Sequence, residues 1–312
     1  MASTHDFDVV GLGEALIEFN QTVPGEPTYR QGLGGDTSNV IIAAARAGAR
    51  TAYLGRYGGN DDFGELLLQT WRDEGVDVSG MLCDEQANNG LYFVQHTQDG
   101  HRFSYARHQS AAARMQPSDL QHGLVERSRY LHVSGISLAI SVSACDTVFA
   151  AMQRARDAGR QSCLDANLRT RLWPMSRARA ILREAITQCD VFLPGWDDMA
   201  LLTGLDQADA MLDWIRALNG QAVVALKMGS KGVILDDGRT RTSIMPHSVQ
   251  SVDATGAGDC FAGNLLARIC AGDDWLPACH YANAAAGLST MGYGAVDPLP
   301  RPDQVKALLQ RG

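Results

Sequence analysis

Short apolar runs closed by glycine, aspartate or proline alternate along the chain with longer segments whose apolar residues recur every three or four positions. The short runs are "DVVGLG" (8–13), "TAYLGRYG" (51–58), "YLHVSG" (130–135), "SCLD" (162–165), "DVFLP" (190–194) and "AVVALKMG" (222–229), and they read as buried strands. Helices are expected over 36–49, 61–75, 141–158, 176–188 and 208–218, then over 259–271 and about 276–290. The first starts at Asp36 or Thr37 and ends at Gly48, and the second is closed by Gly75. This βαβα order predicts an α/β fold with a mostly parallel central sheet covered by helices on both faces. In such sheets ligands bind beyond the carboxyl ends of the strands. No internal repeat or Pro/Ser-rich linker interrupts the pattern, so one domain over residues 1–312 is expected.

One stretch departs from the alternation. "NNGLYFVQHTQDGHRFSYAR" (88–107) has two β-like runs around Asp99-Gly100, a strong signal for a two-residue hairpin loop. With that loop, residue 92 faces 107 and 94 faces 105. Side chains alternate between faces, so Tyr92, Val94, Phe103, Tyr105 and Arg107 share one face. The face is either an ordinary aromatic sheet surface or the inner side of a flap over a ligand. Residues 15–32 are extended enough to pair beside it, making segments of about 15–32 and 88–108 a small β lid.

Composition narrows the partners. Twenty-seven basic and 35 acidic residues give a net charge of −8, and no Lys/Arg block occurs, which argues against nucleic acid. Seven cysteines without a CxxC pair read, for the most part, as buried thiols in a reducing compartment. The first residues lack the basic and apolar regions of a signal peptide, and no apolar run approaches the roughly 20 residues that span a bilayer. A cytoplasmic location without membrane contact is expected. The eight histidines show no zinc spacing and read as scattered surface residues.

The chemistry concentrates in "SVDATGAGDCFAG" (251–263). No GxxxxGK[ST] occurs, and "GLGEAL" lacks the third glycine of a dinucleotide fingerprint. Gly256, Ala257 and Gly258 are small enough for a tight turn that aims several amides at one point, and a helix starting near Asp259 adds its own free N–H groups. That combination suits a transferring phosphoryl group, with Asp259 beside it to accept a hydroxyl proton. The plainer alternative is that Asp259 only favours the helix start, by roughly 0.3–1 kcal/mol.

"DATGAGDCFAGN" resembles the C-terminal signature of the ribokinase-like (PfkB) carbohydrate kinases. "GLGGDTSNVIIAAARAGA" resembles that family's N-terminal signature, and "VVALKMGSKGVIL" its nucleotide-site strand and turn. Within the family, "GEALIEF", "GGDTSN", "GLYFVQHTQDGHRFSYARHQSAA", "LHVSGISLAI" and "LDANLRTRLW" together resemble 2-keto-3-deoxygluconate kinases. The likeness implies that Gly34, Gly35 and Asn39 hold sugar hydroxyls and that Tyr92, Tyr105, Arg107 and Arg169 surround the sugar acid. It implies Asp259 as catalytic base, Gly256 to Gly258 as anion hole, and Lys227, Gly229, Gly232 and Asn283 along the nucleotide. Asn167, which would otherwise only cap a strand end, falls near the phosphates. ATP and Mg²⁺ are the implied cofactors, and a homo-oligomer of two or more subunits the implied assembly.

The residues themselves support an acid substrate. A guanidinium–carboxylate bond is strong and directional, and Arg107 shares the hairpin face with both tyrosines, while Arg169 follows a strand end. A surface role for Arg169 beside Arg171 is the plain alternative. Two departures from the family pattern stand out. Gly195 and Asp198 occupy the Asn and Glu positions of the usual Asn-x-x-Glu, so Asp198 is either a shorter-armed metal residue or an N-terminal helix acid. Ala254 replaces a common Thr, while Asp253 and Thr255 remain as candidates for a monovalent-cation site. The expected reaction is phosphorylation of a 2-keto-3-deoxy sugar acid at its terminal hydroxyl. A kinase of fructose or another neutral sugar, a sugar-acid sensor without turnover, and an NAD-linked oxidoreductase are the competing readings.

Overall fold

The computed structural model describes residues 5–310 except Thr22, Pro24, Gln98 and Asp99. Its strands are β1 (Phe7–Leu12), β2 (Leu16–Asn20), β3 (Arg30–Gly34), β4 (Thr51–Gly58), β5 (Asp77–Asp84), β6 (Gly90–Thr97), β7 (Gly100–Ala106), β8 (Ser128–Ser134), β9 (Gln161–Asp165), β10 (Val191–Phe192), β11 (Val223–Lys227), β12 (Val233–Asp236) and β13 (Arg241–Ile244). Nine of them form one sheet in the order β13-β12-β11-β10-β9-β8-β1-β4-β5. All pairings from β11 to β5 are parallel, and only β12 and β13 run antiparallel. The helices are α1 (Asp36–Arg46), α2 (Phe63–Asp73), α3 (Gly135–Ala139), α4 (Val142–Asp157), α5 (Met175–Gln188), α6 (Trp196–Thr203), α7 (Ala208–Leu218), α8 (Ala257–Ala271), α9 (Trp275–Ser289) and α10 (Pro302–Leu309).

The strands are apolar on both sides because helices cover both faces. On one face Val9, Tyr130, Cys163 and Val191 pack with residues of α1, α2, α8 and α9; on the other Leu131, Val133, Leu164 and Phe192 pack with α4 to α7. Each buried Leu, Ile or Phe stabilises the fold by about 1.5–3 kcal/mol. Helices α1 and α8 cross closely at Gly263, where a Cβ would stand 2.7 Å from Ala43 Cβ. The missing side chain therefore brings the N-termini of α1 and α8 together, and both open at the carboxyl end of the sheet.

The other four strands form a second sheet in the order β3-β2-β6-β7, so 15–32 and 88–108 do pair side by side. Ile17 of this sheet joins the main core and Phe19 and Leu91 pack against it, whereas Leu16, Tyr92 and Val94 cluster with Phe103 on the opposite face. The hairpin register differs from the sequence expectation by two residues. Tyr92 faces Tyr105 and Val94 faces Phe103, and the ladder runs to Thr97 opposite Gly100. Gln98 and Asp99, the latter part of the expected Asp99-Gly100 turn, lie outside the described residues. The Asp-Gly preference yields to stacking of Tyr92 on Tyr105, 6.0 Å between ring centres, and of Tyr105 on Phe103, 6.4 Å. A slip of two preserves the face of every side chain. Helix α8 also starts earlier than expected, at Ala257 rather than 259, because Gly256 takes a left-handed conformation (φ 76°) and ends the turn there. Among the described residues no helix is long and apolar enough to cross a membrane.

Candidate active site

A cleft of 1380 Å³ opens where the carboxyl ends of β9 and β11 and the N-termini of α1 and α8 meet the aromatic face of the small sheet. Six acidic and six cationic side chains line it. In a chain of net charge −8, that balance makes the cleft more cationic than the protein as a whole.

Asp259 sits at the third position of α8, whose N-cap residue, Gly256, has no side chain to cap it. The Asp259 Oδ2 accepts a bond from Asn39 Nδ2 at 2.8 Å. Burial, reinforced by the charges of Asp36 and Asp165, pushes the Asp259 carboxyl up to about 8, against the pull of Asn39 and Lys227. Asn39 Oδ1 is buried without a partner among the described residues. Gly256 and Gly258 line the cleft, and a Cβ on Gly258 would stand 3.2 Å from Lys227 Nζ. Ala257 is not among the lining residues, and its N–H donates to the Ala254 carbonyl at 3.2 Å. The first-turn amides of Gly258 and Asp259 have no intrahelical carbonyl within reach of a regular α-helical bond.

Lys227, at the end of β11, donates to Asp165 Oδ2 at 2.5 Å. Two residues past Asp165, Asn167 has a left-handed backbone (φ 30°) and donates through Nδ2 to Asp36 Oδ2 at 3.2 Å. Such a conformation in a residue other than glycine costs of order 1–3 kcal/mol and concentrates at functional sites. Asp198, in the first turn of α6, is raised to about 6 by burial and by Asp165, with Arg169 and Lys227 opposing. Arg169 Nη1 lies 3.9 Å from Asp198 Oδ1 and is half exposed to the cleft.

At the other end of the cleft, the Arg107 guanidinium lies over the Tyr105 ring, 5.8 Å from its centre, and Tyr105 stacks on Tyr92. Arg107 also forms a buried ion pair with Glu14, whose second oxygen accepts from Ser110 Oγ. Burial raises the Glu14 carboxyl and Arg107 opposes the shift. Gly34 lies behind this face: a Cβ there would come within 2.7 Å of the Tyr92 ring. Gly35 lines the cleft beside it.

Thirteen of the residues singled out from the sequence therefore line one cleft: Gly35, Asn39, Tyr92, Tyr105, Arg107, Asn167, Arg169, Asp198, Lys227, Gly229, Gly256, Gly258 and Asp259. Gly34, Ala257, Gly232, Asn283 and Asp253 stand outside its lining. Gly232 closes the turn after β11 by accepting the Met228 N–H at 2.8 Å. Asn283 donates to the Met245 carbonyl at 2.7 Å, tying α9 to the segment after β13. Asp253 is buried and gathers the loop, accepting from Thr255 N (2.9 Å), Thr255 Oγ1 (2.6 Å) and Gly294 N (3.0 Å). Sequence reasoning took Asp36 only as a helix start and assigned no role to Glu14 or Glu18. Their signal was present: Glu14, Leu16 and Glu18 fall on alternate positions of an apolar run, where a charged residue needs a partner.

A model of the pfkB family of carbohydrate kinases matches residues 6–302. This chain belongs to that family. Over 97% of its length it is 33% identical to fructokinase-1 of Oryza sativa subsp. japonica, covering 97% of that protein. It is 34% identical to a 2-dehydro-3-deoxygluconokinase of Thermoproteus tenax, covering 97% of this chain and 94% of the relative. Among solved structures, a fructokinase of Vibrio cholerae O395 with fructose, ADP and calcium bound superposes with a TM-score of 0.85 at 29% identity, over 96% of this chain and 98% of that one. The fold is ribokinase-like and the protein is a carbohydrate kinase.

Proposed function

We propose that this kinase transfers the γ-phosphoryl group of ATP to the terminal primary hydroxyl of 2-keto-3-deoxygluconate, giving 2-keto-3-deoxy-6-phosphogluconate. The observation that carries the reading is the run of Arg107, Tyr105 and Tyr92 on one cleft wall, with Arg169 on another. These supply guanidinium groups for a carboxylate and aromatic surface for a carbon chain. A sugar acid held there by its carboxylate points its far hydroxyl toward Asp259.

Asp259 then takes the hydroxyl proton, oriented by Asn39, whose unpartnered Oδ1 suits a sugar O–H. The amides around Gly256 and Gly258 receive the charge that develops on the transferring group. Ala257 contributes backbone shape. Lys227, Asn167 and Gly229 face the phosphates, while Gly232 and Asn283 hold the nucleotide-side turn in shape. Asp198 suits Mg²⁺ because its carboxyl and that of Asp165 repel each other across a partly buried space. Magnesium bound with the nucleotide would neutralise phosphate charge. A monovalent cation beside the Asp253 loop belongs to the same proposal, and replacing potassium by tetramethylammonium in the assay tests it. The small sheet acts as a lid that excludes water from the transfer.

A second reading, a fructokinase, is favoured by one observation: Glu14 already balances the Arg107 charge before substrate arrives. The similarity to fructokinases points the same way. Coupled measurement of ADP release with 2-keto-3-deoxygluconate, its galactonate epimer, gluconate and fructose separates the two. The sugar acid is expected to have the highest kcat/KM, and fructose as the clearly best substrate overturns the proposal.

A further inference from the structure

We propose that Glu18 is a positioning residue that uses up the only hydrogen-bond donor of Tyr92, so that Tyr92 meets the sugar as an acceptor. The inference rests on the small-sheet face receiving the sugar, whichever sugar that is.

Glu18 lies on β2 directly opposite Tyr92 on the parallel neighbour β6. Both are buried, at 3% and 5% exposure, and the Tyr92 hydroxyl donates to Glu18 Oε2. A phenol has one O–H to give. With that hydrogen directed at Glu18, only the oxygen lone pair remains for the cleft, which Tyr92 lines. A substrate hydroxyl can satisfy it by donating; a carbonyl or a carboxylate oxygen cannot.

The neighbours of Glu18 hold it in this role. Gly34 leaves room for the Tyr92 ring, and Gly294 leaves room for Glu18, since a Cβ there would stand 2.8 Å from Glu18 Oε1. The N–H of Gly294 donates to Asp253, which gathers the loop leading into α8. Tyr92 also carries the stack of Tyr105 and Arg107. Two buried carboxylates therefore anchor that stack, Glu18 at one end and Glu14 at the other.

The test is a double-variant cycle in the full chain: Glu18→Leu, which removes the acceptor, Tyr92→Phe and both together, assayed with the best sugar from the substrate panel. Each single variant is expected to raise the sugar KM roughly 10-fold, the scale of one hydrogen bond to a charged group. The KM for ATP should stay within about twofold, because neither residue faces the nucleotide end. Glu18 acts through Tyr92, so the double variant should be no worse than Tyr92→Phe alone. Multiplying effects would mean that Glu18 touches the sugar itself, and an unchanged sugar KM in Glu18→Leu would mean that Tyr92 needs no anchor; either overturns the inference. If Glu18→Leu does not fold, Glu18→Asp keeps the charge on a shorter arm, and a sugar KM unchanged in that variant counts against the proposal in the same way. A different best sugar would refute the substrate assignment and leave this cycle intact.

Discussion

Asn39, on α1, and Asp259, on α8, are 220 residues apart in sequence and 2.8 Å apart in space, with the amide nitrogen of the first donating to the carboxylate of the second. The bond orients the carboxylate and opposes the burial that raises its proton affinity. Removing the donor should leave Asp259 harder to ionise. Asn39→Ala is expected to move the rising limb of the pH–rate profile to higher pH, read from kcat/KM between pH 6 and 10. A limb that stays in place would detach Asn39 from the base.

Asp259→Asn is expected to lower turnover at least ~10²-fold, the scale of general-base catalysis, while ATP still protects the protein against thermal unfolding. The same change should raise Tm of the unliganded enzyme at neutral pH, because burial and Asp36 make ionisation of Asp259 unfavourable in the folded state while the unfolded chain ionises it freely. Near-normal turnover would remove Asp259 as base. A loss of stability would show that its bond with Asn39 outweighs the repulsion.

The wild-type enzyme should show kcat/KM rising with pH up to about 8, as Asp259 loses its proton. Stability should run the other way. The folded value of about 8 exceeds the ordinary 3.8, so the native state binds the proton more tightly than the unfolded chain. That contribution is complete below about pH 3.8 and is lost as pH rises through 8. Glu18, raised to about 7, and Asp198, raised to about 6, have the same sign. Urea denaturation at pH 6 and pH 9, with catalysis followed in parallel, should show activity and stability moving in opposite directions.

Arg107→Ala removes one member of a buried ion pair and leaves Glu14, at 1% exposure, without its counter-charge. A loss of about 3 kcal/mol is expected in urea unfolding. Adding Glu14→Gln should recover part of it. Under conditions where the variant is folded, use of a sugar acid should fall more than use of fructose. Equal losses for the two substrates would remove Arg107 as a carboxylate clamp.

Legibility in the sequence followed the reach of each interaction. Helix α7 spans 208–218 as expected, because its amphipathic pattern is complete within the segment. "DVFLP" carries an equally clear apolar run, yet only Val191 and Phe192 join the ladder before the chain turns toward α6. The hairpin was recognisable, but its register was settled by Tyr92, Tyr105 and Phe103 stacking across strands, and turn preference alone carries no such information. Glycine spacing marked the 253–259 loop. Glu14 and Glu18 stood out as charges in an apolar run, but their partners came only with the fold: the Arg107 guanidinium pairs with Glu14 and the Tyr92 hydroxyl donates to Glu18, both from the distant hairpin. Asp36 looked like a helix-start acid and turns out to accept from Asn167 and to press on Asp259.

The close crossing of α1 over α8 at Gly263 has a consequence for how such a protein diversifies. Asn39 and Asp259 ride on two helices locked into the main core, whereas Tyr92 and Tyr105 belong to a separate four-stranded sheet and Arg107 directly follows its last strand. Substitutions that reshape the sheet leave the reactive carboxylate and its partner undisturbed. Selectivity can therefore drift among related sugars through this sheet face and Arg169, at little risk to the phosphoryl-transfer apparatus.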